Sequence, residues 1–276
     1  MLLLRPLVAR RNAQLTAPVL WHGTLCAARV YFLWALCQLG LVFVAFSCSA
    51  CESRARSPTP PATLGERSAG AWQAPSLPPA LSIPADAPKV VFLGDSIAAG
   101  LHLPAHEAYP AQVQERLSGE GLPFQLINAG VSGDTSAGGL SRLPWLLKQK
   151  PHIVVVELGG NDGLRGVPVA ATEKNLRDIL QTSLQGGAQV LLLGMRIPSS
   201  YGEPYVSTFA AAYERLAREL AVPFVPYFME GVAGVPALNL ADGLHPTREG
   251  HARLATRIAP ELARLLRAPS APPAQP

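Results

Sequence analysis

After Cys51 this 276-residue chain has no further cysteine; Cys26, Cys37, Cys48 and Cys51 are the four it carries. A thiol nucleophile, a Cys-ligated zinc and a disulfide framework are thereby excluded from everything downstream. Acid is missing from the opposite end, where no Asp or Glu precedes Glu52. The formal charge of +4 is therefore an N-terminal property: Arg5, Arg10, Arg11 and Arg29 carry it all, and setting these four aside leaves 19 of the 23 basic residues against 19 acidic ones. A neutral body lacks the electrostatic footprint of a nucleic-acid binder. A Gly-rich phosphate loop of either common type is also missing, as is an internal repeat. His102, His106, His152 and His251 stand without acids at a metal-ligand spacing and read as surface or linker histidines. No metal and no cofactor is expected.

Charge is missing once more from Val30 to Ala50, a run of 21 residues preceded by arginines. It is longer than a usual signal-peptide core and long enough to span a bilayer, and basic residues on its leading side predict a cytoplasmic N-terminus with the remainder exported. Ser49-Ala50-Cys51 resembles the end of a bacterial lipoprotein signal, although Cys48 stands where an aliphatic residue is usual. Three routes stay open for residues 1–51: a lipid anchor on Cys48 or Cys51, an uncleaved helix, and an ordinary cleaved signal. Val30 is an alternative initiator. Residues 52–88 hold eight prolines and few large apolar residues. Such a stretch does not offset its own ordering entropy and is expected to be an extended, semi-rigid tether.

From Lys89 short apolar runs alternate with amphipathic segments, the pattern of a parallel sheet covered on both faces. Strands are expected near Val90 to Leu93, Phe124 to Asn128, Ile153 to Glu157, Val190 to Leu193 and Phe224 to Pro226. Helices are expected near Tyr109 to Ser118, Ser136 to Lys148, Thr172 to Leu184, Pro204 to Leu220 and Thr247 to Arg267. One α/β domain over 89–268, a three-layer α/β/α sandwich around a five-stranded parallel sheet, follows, with a loose Pro/Ala-rich tail at 269–276. Its ligand site belongs beyond the carboxyl ends of the strands.

Three polar clusters fall directly after predicted strands: Gly94-Asp95-Ser96, Gly130 to Thr135, and Gly159-Gly160-Asn161-Asp162. A fourth, Asp242-Gly-Leu-His245, comes late and can fold back onto the same edge. A serine at a strand end with an acid and an imidazole nearby supplies the parts of an activated hydroxyl nucleophile. Taken singly, Ser96 is an ordinary helix cap, Gly133 a turn glycine and Asn161 a turn asparagine; taken together in this order they favour one site. Asp95 and Asp162 are assigned to loop hydrogen bonding, because a second negative charge beside a forming oxyanion opposes catalysis.

In these four blocks, Gly94-Asp-Ser-Ile97, Ser132-Gly-Asp-Thr135, Gly159-Gly-Asn-Asp162 and Asp242-Gly-Leu-His245, the chain resembles the SGNH or GDSL hydrolases. The run Val156 to Gly166 is similar to the bacterial branch with thioesterase I, lysophospholipase L1 and arylesterases. Ile97 replaces the leucine of the family name, a swap of similar volume. The resemblance implies a flavodoxin-like sheet, Ser96 as nucleophile, His245 as general base and Asp242 as its orienting acid. It also implies an oxyanion hole from the backbone N–H groups of Ser96 and Gly133 and the side-chain amide of Asn161. Ile197 to Tyr205 and Leu164 to Pro168 are candidate walls, read first as plain loops.

The expected activity is hydrolysis of acyl or aryl esters, lysophospholipids or acyl thioesters through an acyl-enzyme, with a small acyl-ester or lipid substrate as partner and a membrane reached through the N-terminal anchor. Two alternatives remain: an O-acetyl esterase acting on envelope carbohydrate, and a lipid-binding lipoprotein without turnover.

Overall fold

Residues 81–268 are described in a computed structural model. The apolar run Val30 to Ala50, Cys48, Cys51, most of the proline-rich stretch and the tail 269–276 lie outside the described residues.

The elements follow in the order β1 (Lys89–Gly94), α1 (Ser96–Ala99), α2 (Tyr109–Gly119), β2 (Gln125–Gly130), α3 (Ser136–Leu147), β3 (Ile153–Glu157), α4 (Gly160–Leu164), α5 (Val169–Gln185), β4 (Gln189–Leu193), α6 (Glu203–Glu219), β5 (Phe224–Val225) and α7 (Arg248–Arg267). The strands make one sheet in the order β2-β1-β3-β4-β5, every pairing parallel. Helices α2 and α7 pack together on one face, and α3, α5 and α6 form a row on the other. This is the three-layer arrangement that unbroken apolar strands require, because Val90 to Leu93, Val154 to Val156 and Leu191 to Leu193 have no exposed surface and need cover on both sides. Helix α7 contributes Leu254, Ile258, Leu262 and Leu265 at helical spacing, all buried. Each side chain of that kind stabilises by ~1.5–3 kcal/mol through burial.

Register places the chemistry. Gly94 pairs with Gly130 on one side and with Glu157 on the other, so β1, β2 and β3 end level and the loops that follow them share one edge. The strand order reverses around β1, which opens a crevice between the β1 and β3 loops.

Boundaries differ from the sequence expectation in a few places, each with a local cause. Strand β2 begins at Gln125 and reaches Gly130, so that glycine belongs to the ladder. The last residues of the proline-rich stretch are held against the sheet: Ala87 is buried, and Pro88, which accepts but cannot donate, takes a hydrogen bond from the Gln125 N–H at 2.9 Å. Strand β5 stops before Pro226. Short helices α1 and α4 replace what reads as plain loop, because Asp95 caps the first through Ile97 N–H and Gly159, at φ 106°, turns the chain into the second. Helices α3 and α7 start where Thr135 and Thr247 accept from Gly138 N–H and Gly250 N–H, as N-cap threonines do. His251 is a correction to its reading as a surface or linker residue: it is buried, and its Nδ1 accepts the Tyr109 N–H at 3.1 Å.

Among the described residues no helix is long and apolar enough to cross a membrane, and no group of three or more His, Cys, Asp and Glu could hold a metal ion.

Candidate active site

Ser96 opens α1 directly beyond β1. The turn that presents it is tied down from below. Glu157, the last residue of β3 and wholly buried, accepts from the Asp95 N–H at 3.3 Å and the Ala98 N–H at 3.1 Å, so one carboxyl oxygen holds the residues on either side of Ser96. A side chain at Gly94 would strike that same oxygen and the Ala98 methyl, which explains glycine there.

The late segment folds back as its spacing allows. His245 Nε2 lies 2.8 Å from Ser96 Oγ, and His245 Nδ1 lies 2.6 Å from Asp242 Oδ2. Asp242 also closes its own turn, its Oδ1 accepting the N–H groups of Leu244 and His245 at 2.9 and 3.0 Å. The His245 N–H, then the imidazole and the Leu244 N–H, hold this carboxyl well below the usual carboxylate range, so the acid next to the ring is ionised at neutral pH. With Nδ1–H committed to a carboxylate, Nε2 is free to accept from the serine hydroxyl.

Asn161, on α4 after β3, lines the same cleft, and its Nδ2 donates to Asp95 Oδ2 at 3.1 Å. Asp95 is buried; burial raises its pKa, against the Ile97 N–H and the Asn161 amide. Asp162 faces away, accepting from Ser136 N–H at 2.8 Å, Ser136 Oγ at 2.5 Å and Thr172 Oγ1 at 3.3 Å. Both aspartates thus serve the loops.

Gly133 sits on the exposed loop after β2 at φ 79° and is not among the residues lining the cleft; its carbonyl accepts from Arg165 at 2.9 Å. Neither its N–H nor that of Ser96 donates to an acceptor among the described residues. Arg142 fixes this loop to the sheet edge, reaching Asp134 at 2.7 Å, the Ala129 carbonyl at 2.5 Å and the Gly94 carbonyl at 2.9 Å.

The cleft encloses about 460 Å³. Besides Ser96 and His245 it is lined by Ile97, Leu164, Met195 to Pro198, Tyr227, Met229, Ala233, Gly234 and Leu244. The two predicted walls are joined: Tyr201 Oη donates to the Leu164 carbonyl and Tyr205 Oη to the Val167 carbonyl, each at 2.7 Å. Tyr227 to Gly234, the segment after β5, was missed by sequence reasoning, and so was Glu157. The latter had one signal, an acid ending an otherwise apolar strand.

A hydroxyl, an imidazole and a carboxylate are thus hydrogen-bonded in series at the strand ends of the parallel sheet. The model of the GDSL-like lipase/acylhydrolase family matches residues 92–253, and the chain belongs to that family, the SGNH hydrolases. It is similar to esterase TesA of Pseudomonas aeruginosa, 45% identical over 183 residues that cover 66% of this chain and 91% of the relative. It is also similar to thioesterase 1/protease 1/lysophospholipase L1 of Escherichia coli K12, 44% identical over 64% of this chain and 85% of the relative. Among solved structures, TesA superposes with a TM-score of 0.62 at 44% identity, covering 64% of this chain and 99% of TesA. The psychrotrophic esterase EstA from Pseudoalteromonas sp., inhibited by monoethylphosphonate, gives the same TM-score at 31% identity over 65% of this chain and 99% of EstA.

Proposed function

We propose that this protein is a serine esterase that cleaves acyl and aryl esters, lysophospholipids among them, through an acyl-enzyme on Ser96. The observation that carries the reading is the hydrogen-bonded series Ser96 Oγ, His245 Nε2, His245 Nδ1 and Asp242 Oδ2, with separations of 2.8 and 2.6 Å. Ser96 Oγ attacks the substrate carbonyl carbon while its proton passes to His245 Nε2, and the imidazolium formed is held by Asp242. The carbonyl π electrons move onto oxygen, where the N–H groups of Ser96 and Gly133 and the Asn161 amide donate to the new charge. One such preorganised donor contributes about 3–4 kcal/mol. Collapse expels the alcohol, which takes the proton from His245, and a water repeats the sequence on the ester of Ser96 to release acid and free serine.

The relatives named esterase, lysophospholipase and arylesterase support this substrate range. The arginines ahead of the uncharged run Val30 to Ala50 support an exported domain, tethered by lipid or helix or freed by cleavage. Outside the cytoplasm acyl-CoA is scarce, which ranks esters and lysophospholipids above CoA thioesters.

The test is a panel of p-nitrophenyl esters with wild type and Ser96→Ala, together with labelling by a fluorophosphonate probe. Turnover and labelling that vanish in the variant and survive a chelator are expected. An unchanged rate in Ser96→Ala refutes the reading.

A further inference from the structure

Arg196 is the one arginine or lysine among the residues lining the cleft, and the chemistry leaves it unused. It follows β4, between the apolar wall residues Met195 and Ile197, and its guanidinium lies 4.9 Å from the centroid of the Tyr227 ring, a residue that lines the cleft as well. Stacking on an aromatic face covers one side of the guanidinium and leaves its N–H edge open. That edge makes no hydrogen bond and no ion pair with any described residue. The acids of the neighbourhood are already engaged: Glu230 with Arg257, Asp242 with His245, and Asp95 with the Ile97 N–H and Asn161. The cation is therefore solvent-exposed, held against Tyr227 and without an acid partner among the described residues, at the mouth of a cleft whose other walls are largely apolar.

We propose that Arg196 is a substrate-recognition residue, whose open edge receives a phosphate carried by the ester substrate while Ser96 attacks the carbonyl. This rests on the esterase reading above and narrows it to phosphate-bearing acyl esters. A planar fork of N–H donors matches two oxygens of a phosphate, and an exposed guanidinium without an acid partner attracts an anionic group more than a neutral one of the same chain length, by an amount that solvent screens. A free phosphate ion has the same chemistry and is the source to be separated from a substrate group.

The experiment compares monooctanoylglycerol with octanoylglycerol phosphate, below their aggregation limits, in the full chain. In wild type the phosphate ester is expected to have the higher kcat/KM by about 2- to 5-fold, the range that a solvent-screened charge pair spans. In Arg196→Gln the ratio of the two falls to near one, and Arg196→Lys keeps part of it. Binding of both compounds to Ser96→Ala protein by calorimetry gives the same comparison without turnover, so a failure of the nucleophile assignment is read apart from a failure of this one. Equal wild-type ratios and affinities overturn the proposal. It is likewise overturned if Arg196→Gln slows both esters together at a preserved ratio, or if inorganic phosphate alone protects wild type against heating while the phosphate ester has no advantage.

Discussion

Replacing Glu157 by glutamine tests the support beneath Ser96, the proposed nucleophile. The carboxyl is fully buried, one oxygen accepts from Asp95 N–H and Ala98 N–H, and the other has no partner. Burial first, and the Asp95 charge second, push its pKa well above the usual carboxylate range, so the native protein holds a proton that the unfolded chain gives up above about pH 4.5. The native state then binds more protons than the unfolded one, and stability falls as pH rises, by up to ~1.4 kcal/mol per pH unit until the folded pKa is reached. Glutamine keeps an acceptor for both N–H groups and cannot ionise. Urea unfolding at intervals upward from about pH 5 is therefore expected to show a downward slope in wild type and a flatter one in Glu157→Gln, which also keeps most of its kcat. Glu157→Ala, by contrast, strands two buried N–H groups at ~1–3 kcal/mol each and opens a cavity besides; it is expected to lose stability and kcat together, because the residues flanking Ser96 lose their anchor. Equal slopes in wild type and Glu157→Gln, or an Ala variant as active as the Gln variant, would refute the reasoning.

Other expectations concern single contacts. His251 is pushed down to about 4, mainly by burial, and is neutral in the native state; its contribution is complete above the unfolded value near 6.5 and is lost as pH falls toward 4, by about 1.4 kcal/mol per unit, so His251→Gln should flatten an acid titration of stability in that window. Asp242→Asn keeps an acceptor for the Leu244 and His245 N–H groups but removes the charge beside the ring, and kcat is expected to drop by about 10³–10⁴ with the circular dichroism unchanged. Asn161→Ala is expected to lower kcat by about 10²–10³ with a smaller effect on KM, and an equal effect on both would remove the amide from the oxyanion assignment. Gly94→Ala drives a methyl group against Glu157 and Ala98, and a loss of about 1–3 kcal/mol in thermal unfolding is expected.

Much of this was legible in the chain because its signals are local. The runs Val90 to Leu93, Ile153 to Glu157 and Val190 to Leu193 are too short for helices and too apolar for edge strands, which points to buried parallel strands. Ser96, Asn161 and the Asp242 to His245 turn were legible because each sits within four residues of the end of such a strand or in a short motif. Residues acting across the sheet were not. Glu157 reads as a strand end until register sets it opposite Gly94, and His251 reads as a surface or linker histidine until α2 brings the Tyr109 N–H to its ring.

By itself the sequence determined the order of the five strands and the five long helices, the exclusion of sulfur chemistry from the body of the chain and the residue types at the site, since these depend on neighbours within a few positions. Only the tertiary structure decided which side chains meet: the 149-residue separation of Ser96 and His245 closes to 2.8 Å, Arg196 comes to lie over Tyr227, and the segment after β5 becomes a wall of the cleft. Distances between remote residues are set by how helices and strands pack, and packing is a property of the whole domain that no local pattern contains.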